Sequence, residues 1–227
     1  MPGYHPGGEG TLIETRVIRL HPGGGSAAEV RAAAAALGEG AVAAYPTETF
    51  YALGAAAFVK RAVEKVYRLK KRDAAKALSV VASDLDMVRE IAGPWPPAFV
   101  TLAGEFWPGP LTLVLPAAPG VPEFLTGPGR TIAVRIPPLA WLRDLVRELG
   151  EPLTATSANL AGEKELADPR QVEALFAGRI DLLVDGGAAP GGLPSTIVDL
   201  AGERPRILRE GRIPASRIEA LLGRRAT

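Results

Sequence analysis

The run Ala41-Val42-Ala43-Ala44, stopped by Tyr45-Pro46 and followed at once by Thr47-Glu48-Thr49, constrains the fold more than any other stretch. Four small apolar residues are too few for a helix and suit a short buried strand. Proline removes a ladder donor and holds its predecessor extended, so the strand ends there. Two hydroxyls and a carboxylate then stand just past the carboxyl end of a strand, where open α/β sheets place their ligands. Phe50-Tyr51 returns to apolar character, and Gly54 permits a tight turn. Two readings of Thr47 and Thr49 stay open: donors to a ligand, or caps of a helix.

The rest of the chain repeats this grammar. Short apolar strands are expected at 15–20, 41–44, 77–82, 111–115, 131–136, 153–156, 181–184, 196–200 and 207–208. Helical patterns fall between them at 26–37, 60–71, 98–105, 140–149, 168–176 and 214–222. Ser26-Ala-Ala-Glu29 is a capping-box pattern, and Gly38 stops the helix that it opens. Strands alternating with helices predict an α/β fold with a mixed sheet. The glycine- and proline-rich Met1 to Gly10 reads as mobile, and the Pro119 to Gly129 loop is long enough to act as a lid.

Composition narrows the chemistry. The 227 residues are enough to bury a sizeable core. Twenty-six basic against 25 acidic residues leave a net charge of +1, which argues against wholesale nucleic-acid binding but permits a local basic cleft. With no cysteine, thiolate catalysis, disulfides and cysteine-ligated metal are excluded. The two histidines, His5 and His21, both lie near the N-terminus, so neither a histidine metal centre nor a Ser-His-Asp triad is expected. No 18-residue apolar run or signal peptide is present, and a cytoplasmic protein without membrane contact is expected.

Against this background one set of polar residues stands out at strand ends: Thr49, Arg72, Lys76, Thr131, Arg135, Ser157, Asn159, Ser195 and Arg209. Five cations lie between Arg68 and Lys76, more than a helix C-terminus needs, and they lead into a buried strand. Arg135 interrupts the strand TIAVRI, where a guanidinium requires a partner. That partner is either an anionic ligand or a protein carboxylate. Cations together with hydroxyls suit phosphate and carboxylate groups.

Seven segments then occur in a telling order: YPTETFYALG at 45–54, KKR at 70–72 with KAL at 76–78, WPGPLTLVL at 107–115, AVRIP at 133–137, TSAN at 156–159, PSTIVD at 194–199 and LREG at 208–211. The ordered set resembles the YrdC-like family of threonylcarbamoyl-AMP synthases over roughly residues 12–215. The family pattern has glycine at Lys71 and Ala52 and proline at Ala77 and Glu210. Of these departures Ala52 carries the backbone concern, since alanine resists positive φ. The resemblance implies a mixed, twisted sheet flanked by helices around a large, positively charged cavity. It also implies a flexible segment at 1–11, a catalytic domain at 12–215 and a C-terminal helix and tail at 216–227, the short form without a further C-terminal domain.

The implied reaction joins L-threonine, bicarbonate or carbon dioxide, and ATP into threonylcarbamoyl-AMP and pyrophosphate. Mg²⁺ accompanies the triphosphate, and a separate transferase complex consumes the product in modifying tRNA. On the same resemblance Arg72 and Lys70 serve the adenylation step. Arg72, Lys76, Thr131, Ser157, Asn159 and Arg209 contact ATP. Arg135 holds the threonine carboxylate, and Thr49 and Ser195 contact threonine with backbone near Val81 and Ala155. No protein ligand to a metal is assigned. Two other readings are a module with weak RNA binding in its basic cavity and a carbamoyl-transfer maturation factor. The near-neutral charge weighs against the first, and the absence of zinc-binding cysteines against the second.

Overall fold

Period-two alternation sorts the strand residues onto two faces of one sheet. The computed structural model describes residues 13–21, 24–71, 77–127, 129–160 and 162–223. Its strands are β1 (Arg16–Arg19), β2 (Ala43–Pro46), β3 (Tyr51–Gly54), β4 (Ser79–Val81), β5 (Leu111–Pro116), β6 (Thr131–Arg135), β7 (Leu153–Ser157), β8 (Leu182–Asp185), β9 (Thr196–Asp199) and β10 (Arg206–Arg209). The helices are α1 (Ala27–Gly38), α2 (Lys60–Lys70), α3 (Leu85–Ile91), α4 (Pro97–Phe106), α5 (Ala140–Leu149), α6 (Pro169–Phe176) and α7 (Ala215–Leu222). The ten strands lie in the order β1-β8-β2-β3-β7-β4-β6-β5-β9-β10. Parallel pairs (β1 with β8, β2 with β8, β4 with β6, β5 with β9) mix with antiparallel ones, as expected of a mixed sheet.

Along β2, Val42 and Ala44 point into the larger core with Leu53, Val80, Leu113 and Val134, covered by α2 and α4 through Val63, Val66, Phe99 and Leu102. Ala43 and Tyr45 point the other way, to a smaller core where Val30, Ala33 and Leu37 of α1 meet Leu142, Leu145 and Val146 of α5. Helix α1 begins with the expected capping box: Ser26 Oγ accepts from Glu29 N–H, and Glu29 Oε2 accepts from Ser26 N–H at 2.7 Å. The second layer of helices reaches across only part of its face: it covers Val81 of β4, while Ser79 of β4, Ala133 of β6, Thr112 and Val114 of β5 and Ile197 of β9 face a cavity instead.

Three expectations are corrected. Thr47 and Thr49 cap no helix; they form the turn of an antiparallel hairpin in which Pro46 pairs with Tyr51. Gly54 is a strand residue rather than a turn, and a side chain there would run into the Thr154 carbonyl of the crossing backbone. Ala52 lies in extended β3 beside Tyr45 and Ser157 and needs no positive φ. The strained departure is instead Lys71, left-handed at φ 48° where it closes α2. Helix α3, absent from the sequence reading, is seven residues opened by Asp84, whose carboxylate accepts from Met87 N–H. The loop before β6 is fastened by buried Val121 and Leu125, the latter in a single 3₁₀ turn. No described helix is long and apolar enough to cross a membrane.

Candidate active site

The open face of the sheet is the floor of a cavity of about 390 Å³. The same alternation that builds the core builds this floor. Ile132 and Val134 of β6 are buried in the larger core, while Thr131, Ala133 and Arg135 line the cavity. Leu111 and Leu113 of β5 are likewise core residues, and Thr112 and Val114 face the cavity. Ser79 of β4, Ala155 and Ser157 of β7 and Ile197 of β9 complete the floor. Small and hydroxylated side chains here leave space that larger apolar ones would fill.

The hairpin turn forms one wall. Thr47 Oγ1 donates to Phe50 carbonyl at 2.7 Å and accepts from Thr49 N–H at 3.2 Å, which folds the turn. Its oxygen lies 3.1 Å from Thr49 Oγ1, and both threonines line the cavity. Opposite, Arg209 donates from Nε and Nη2 to Ser195 carbonyl at 3.1 and 2.9 Å and from Nη2 to Ser195 Oγ at 3.2 Å. Ser195 Oγ in turn sits 3.0 Å from Thr112 Oγ1. Gly211 makes this possible, since a side chain there would strike the backbone of Pro194 and Ser195.

Two guanidiniums and one carboxylate, Arg135, Arg209 and Glu165, are the charged groups of the described lining. Burial lowers the Arg135 pKa to about 10; Tyr45 offsets this in part and the charge of Arg209 adds to it. Burial also lowers Arg209, with Glu165 opposing. Arg135 meets Glu48 as an ion pair on one side, and its guanidinium and that of Arg209 face the same cavity. An anion bound there would offset the desolvation of both guanidiniums.

The assigned residues that the structure describes each have a place. Thr49, Thr131, Arg135, Ala155, Ser157, Ser195 and Arg209 line the cavity together. Lys70 and Asn159 lie behind it. The Lys70 ammonium, buried at the end of α2, donates to Ser157 carbonyl at 2.6 Å, Asn159 carbonyl at 2.7 Å and Asn159 Oδ1 at 2.5 Å. Asn159 Oδ1 also accepts from Ser157 Oγ at 2.7 Å, and Nδ2 donates to Glu163 carbonyl at 2.6 Å. This network shapes the loop that presents Ser157. Val81 is fully buried in β4, where its backbone registers with Arg135 and Leu153. Arg72 and Lys76 lie outside the described residues. The sequence reading missed Ser79, Thr112 and Glu165 as lining. Alternation in LTLVL would have found Thr112; nothing local marks Glu165.

Fold and cavity together define a class: a mixed α/β protein with guanidinium and hydroxyl groups lining a cavity on one face of its sheet. Within that class the chain belongs to the Sua5/YciO/YrdC family, whose model, described as telomere recombination, matches residues 35–211. It is 39% identical over 196 residues to a Bacillus subtilis (strain 168) protein and 37% identical over 195 residues to one from Pyrococcus abyssi, both named threonylcarbamoyl-AMP synthase. Each match covers 86% of this chain and 57% of the relative. The chain thus spans little more than half the length of these curated relatives. The crystal structure of P. abyssi Sua5 complexed with L-threonine superposes with a TM-score of 0.87 at 35% identity, over 92% of this chain and 61% of that one.

Proposed function

We propose that this chain is a nucleotidyltransferase that forms threonylcarbamoyl-AMP and pyrophosphate from L-threonine, bicarbonate or carbon dioxide, and ATP. The observation that carries this reading is the pair of burial-depressed guanidiniums, Arg135 and Arg209, facing one hydroxyl-lined cavity. The names of the relatives support the product, and the threonine held by the P. abyssi protein supports one substrate; ATP and bicarbonate are what that product requires.

The threonine amine attacks carbon dioxide as the neutral base and loses a proton, giving a carbamate. A cationic cavity favours the neutral amine. A carbamate oxygen then attacks the α-phosphorus, and the bond to the pyrophosphate oxygen breaks. Charge develops on phosphate oxygens, so positioned cations and hydroxyl donors lower the barrier more than a general base would. In this reading Arg135 holds the threonine carboxylate, with Thr49 and Ser195 at the same ligand. Arg209, Thr131 and Ser157 serve the phosphates, as do Arg72 and Lys76. Lys70 and Asn159 hold Ser157 in place. Mg²⁺ would arrive with ATP, held by phosphate and water. The product is a mixed anhydride fit for a separate transferase acting on tRNA.

Mass spectrometry with pyrophosphate detection tests the reaction. Pyrophosphate release should require threonine and bicarbonate together and accompany an equal amount of threonylcarbamoyl-AMP. ADP as product, or equal turnover without threonine, would refute it.

A further inference from the structure

Glu48 has no role in the reaction above, yet its place is unusual. It stands in the hairpin turn between two threonines that line the cavity, but its own side chain turns away from that space. Only 7% of the residue is exposed. Its Oε1 faces Arg135 Nη1 as an ion pair, and Arg135 is buried to the same degree. Among the described residues neither Glu48 oxygen nor Arg135 Nη1 has a hydrogen-bond partner of its own beyond this pairing. Other buried charges here are better served: Lys70 has three acceptors. A buried carboxylate whose one counter-charge among the described residues is a cavity-lining guanidinium contributes little to stability for the desolvation it costs.

The geometry gives the pair a different use. A guanidinium is a planar fork with two edges able to grip carboxylates. Glu48 takes Nη1 from behind, and Arg135 still lines the cavity. The partner comes from the β2–β3 turn and the arginine from the end of β6, so the contact also ties the turn bearing Thr49 to the strand bearing Arg135. We infer that Glu48 is a positioning residue: it fixes the guanidinium of Arg135 so that its free edge meets the carboxylate of the amino-acid substrate. This rests on the proposed reading of Arg135 as the carboxylate-binding group.

A double-mutant cycle read by calorimetric titration of L-threonine, and separately of ATP, tests it. The variants are Glu48→Gln, Arg135→Gln and both together. Glu48→Gln keeps the shape and removes the charge, and should weaken threonine binding about tenfold while ATP binding changes less than about twofold. In the Arg135→Gln background the same change should cost nothing further, because Glu48 acts through Arg135. A merely structural role would not show that dependence. Equal losses in both backgrounds, or no loss in either, would overturn the inference while leaving the proposed function intact. Failure of the unmodified protein to bind threonine would instead overturn the proposed function, and this inference with it. Should Glu48→Gln not fold, Glu48→Asp, with the charge on a shorter arm, carries the same cycle.

Discussion

Arg135 belongs to core and cavity at once, and both loyalties show in what its loss should do. Its backbone pairs with Val81 inside the sheet, and its side chain divides between Glu48 and the open space. Arg135→Ala should weaken threonine binding roughly ten- to a hundredfold, the value of a charged hydrogen-bonded contact, with ATP affinity nearly unchanged. It should also lower stability by about 3–5 kcal/mol, since Glu48 is left buried without a counter-charge. Titration of each ligand, run well below the variant's melting temperature, separates the two effects. Loss of ATP binding with threonine retained would reverse the assignment. The need of Arg135 for a partner was legible in TIAVRI. That Glu48 meets it was not, because the two are far apart in sequence and no local rule relates a hairpin turn to a distant strand end.

Helix ends supply two tests at the scale of elements. Lys71 closes α2 with φ 48°, a conformation that costs a side chain but not glycine. Lys71→Gly should therefore raise stability by about 0.5–1 kcal/mol in urea unfolding, and a decrease would mean that its side chain makes a contact worth more than the strain. Asp84 caps α3, and its pKa is lowered first by the N–H of Met87, then by Ser83 and Arg147. Because the folded value lies below the unfolded one, this stabilisation is complete above the unfolded value near 4 and fades as pH falls through the folded one. Asp84→Ala should cost about 1 kcal/mol at pH 7, and the gap to the unmodified protein should narrow as pH falls below about 4. A gap independent of pH would remove the charge from the explanation. The capping box of α1 was readable from four residues. Helix α3 was not read, since one short run between a strand and a proline break carries little periodicity.

For the molecule as a whole, the cavity predicts how ligands stabilise it. Threonine at about a hundred times its Kd should add roughly 2.7 kcal/mol, a rise of about 5–10 °C in Tm for a chain of this size. Valine, similar in shape but without the hydroxyl that Thr49 and Ser195 would meet in the proposed reading, should give far less. Equal shifts in a thermal melt would refute that selectivity.

What the sequence determined by itself was most of the succession of strands and helices, without β3 and α3, the alternation that assigns residues to faces, and the motif set that points to the family. These are properties of neighbours along the chain. Only the tertiary structure decided that the strands bearing Thr112, Arg135, Ser157 and Arg209, and the strand that starts just after Ser195, lie within one stretch of sheet. Their pairing follows from crossovers such as β4 beside β6 and β5 beside β9. It was the structure too that, among the described residues, left part of a face lining a cavity rather than packed under helices. A strand's periodicity states which side is apolar, but not whether a helix or a ligand will cover the other side, because that depends on where α1 and α5 find room to pack.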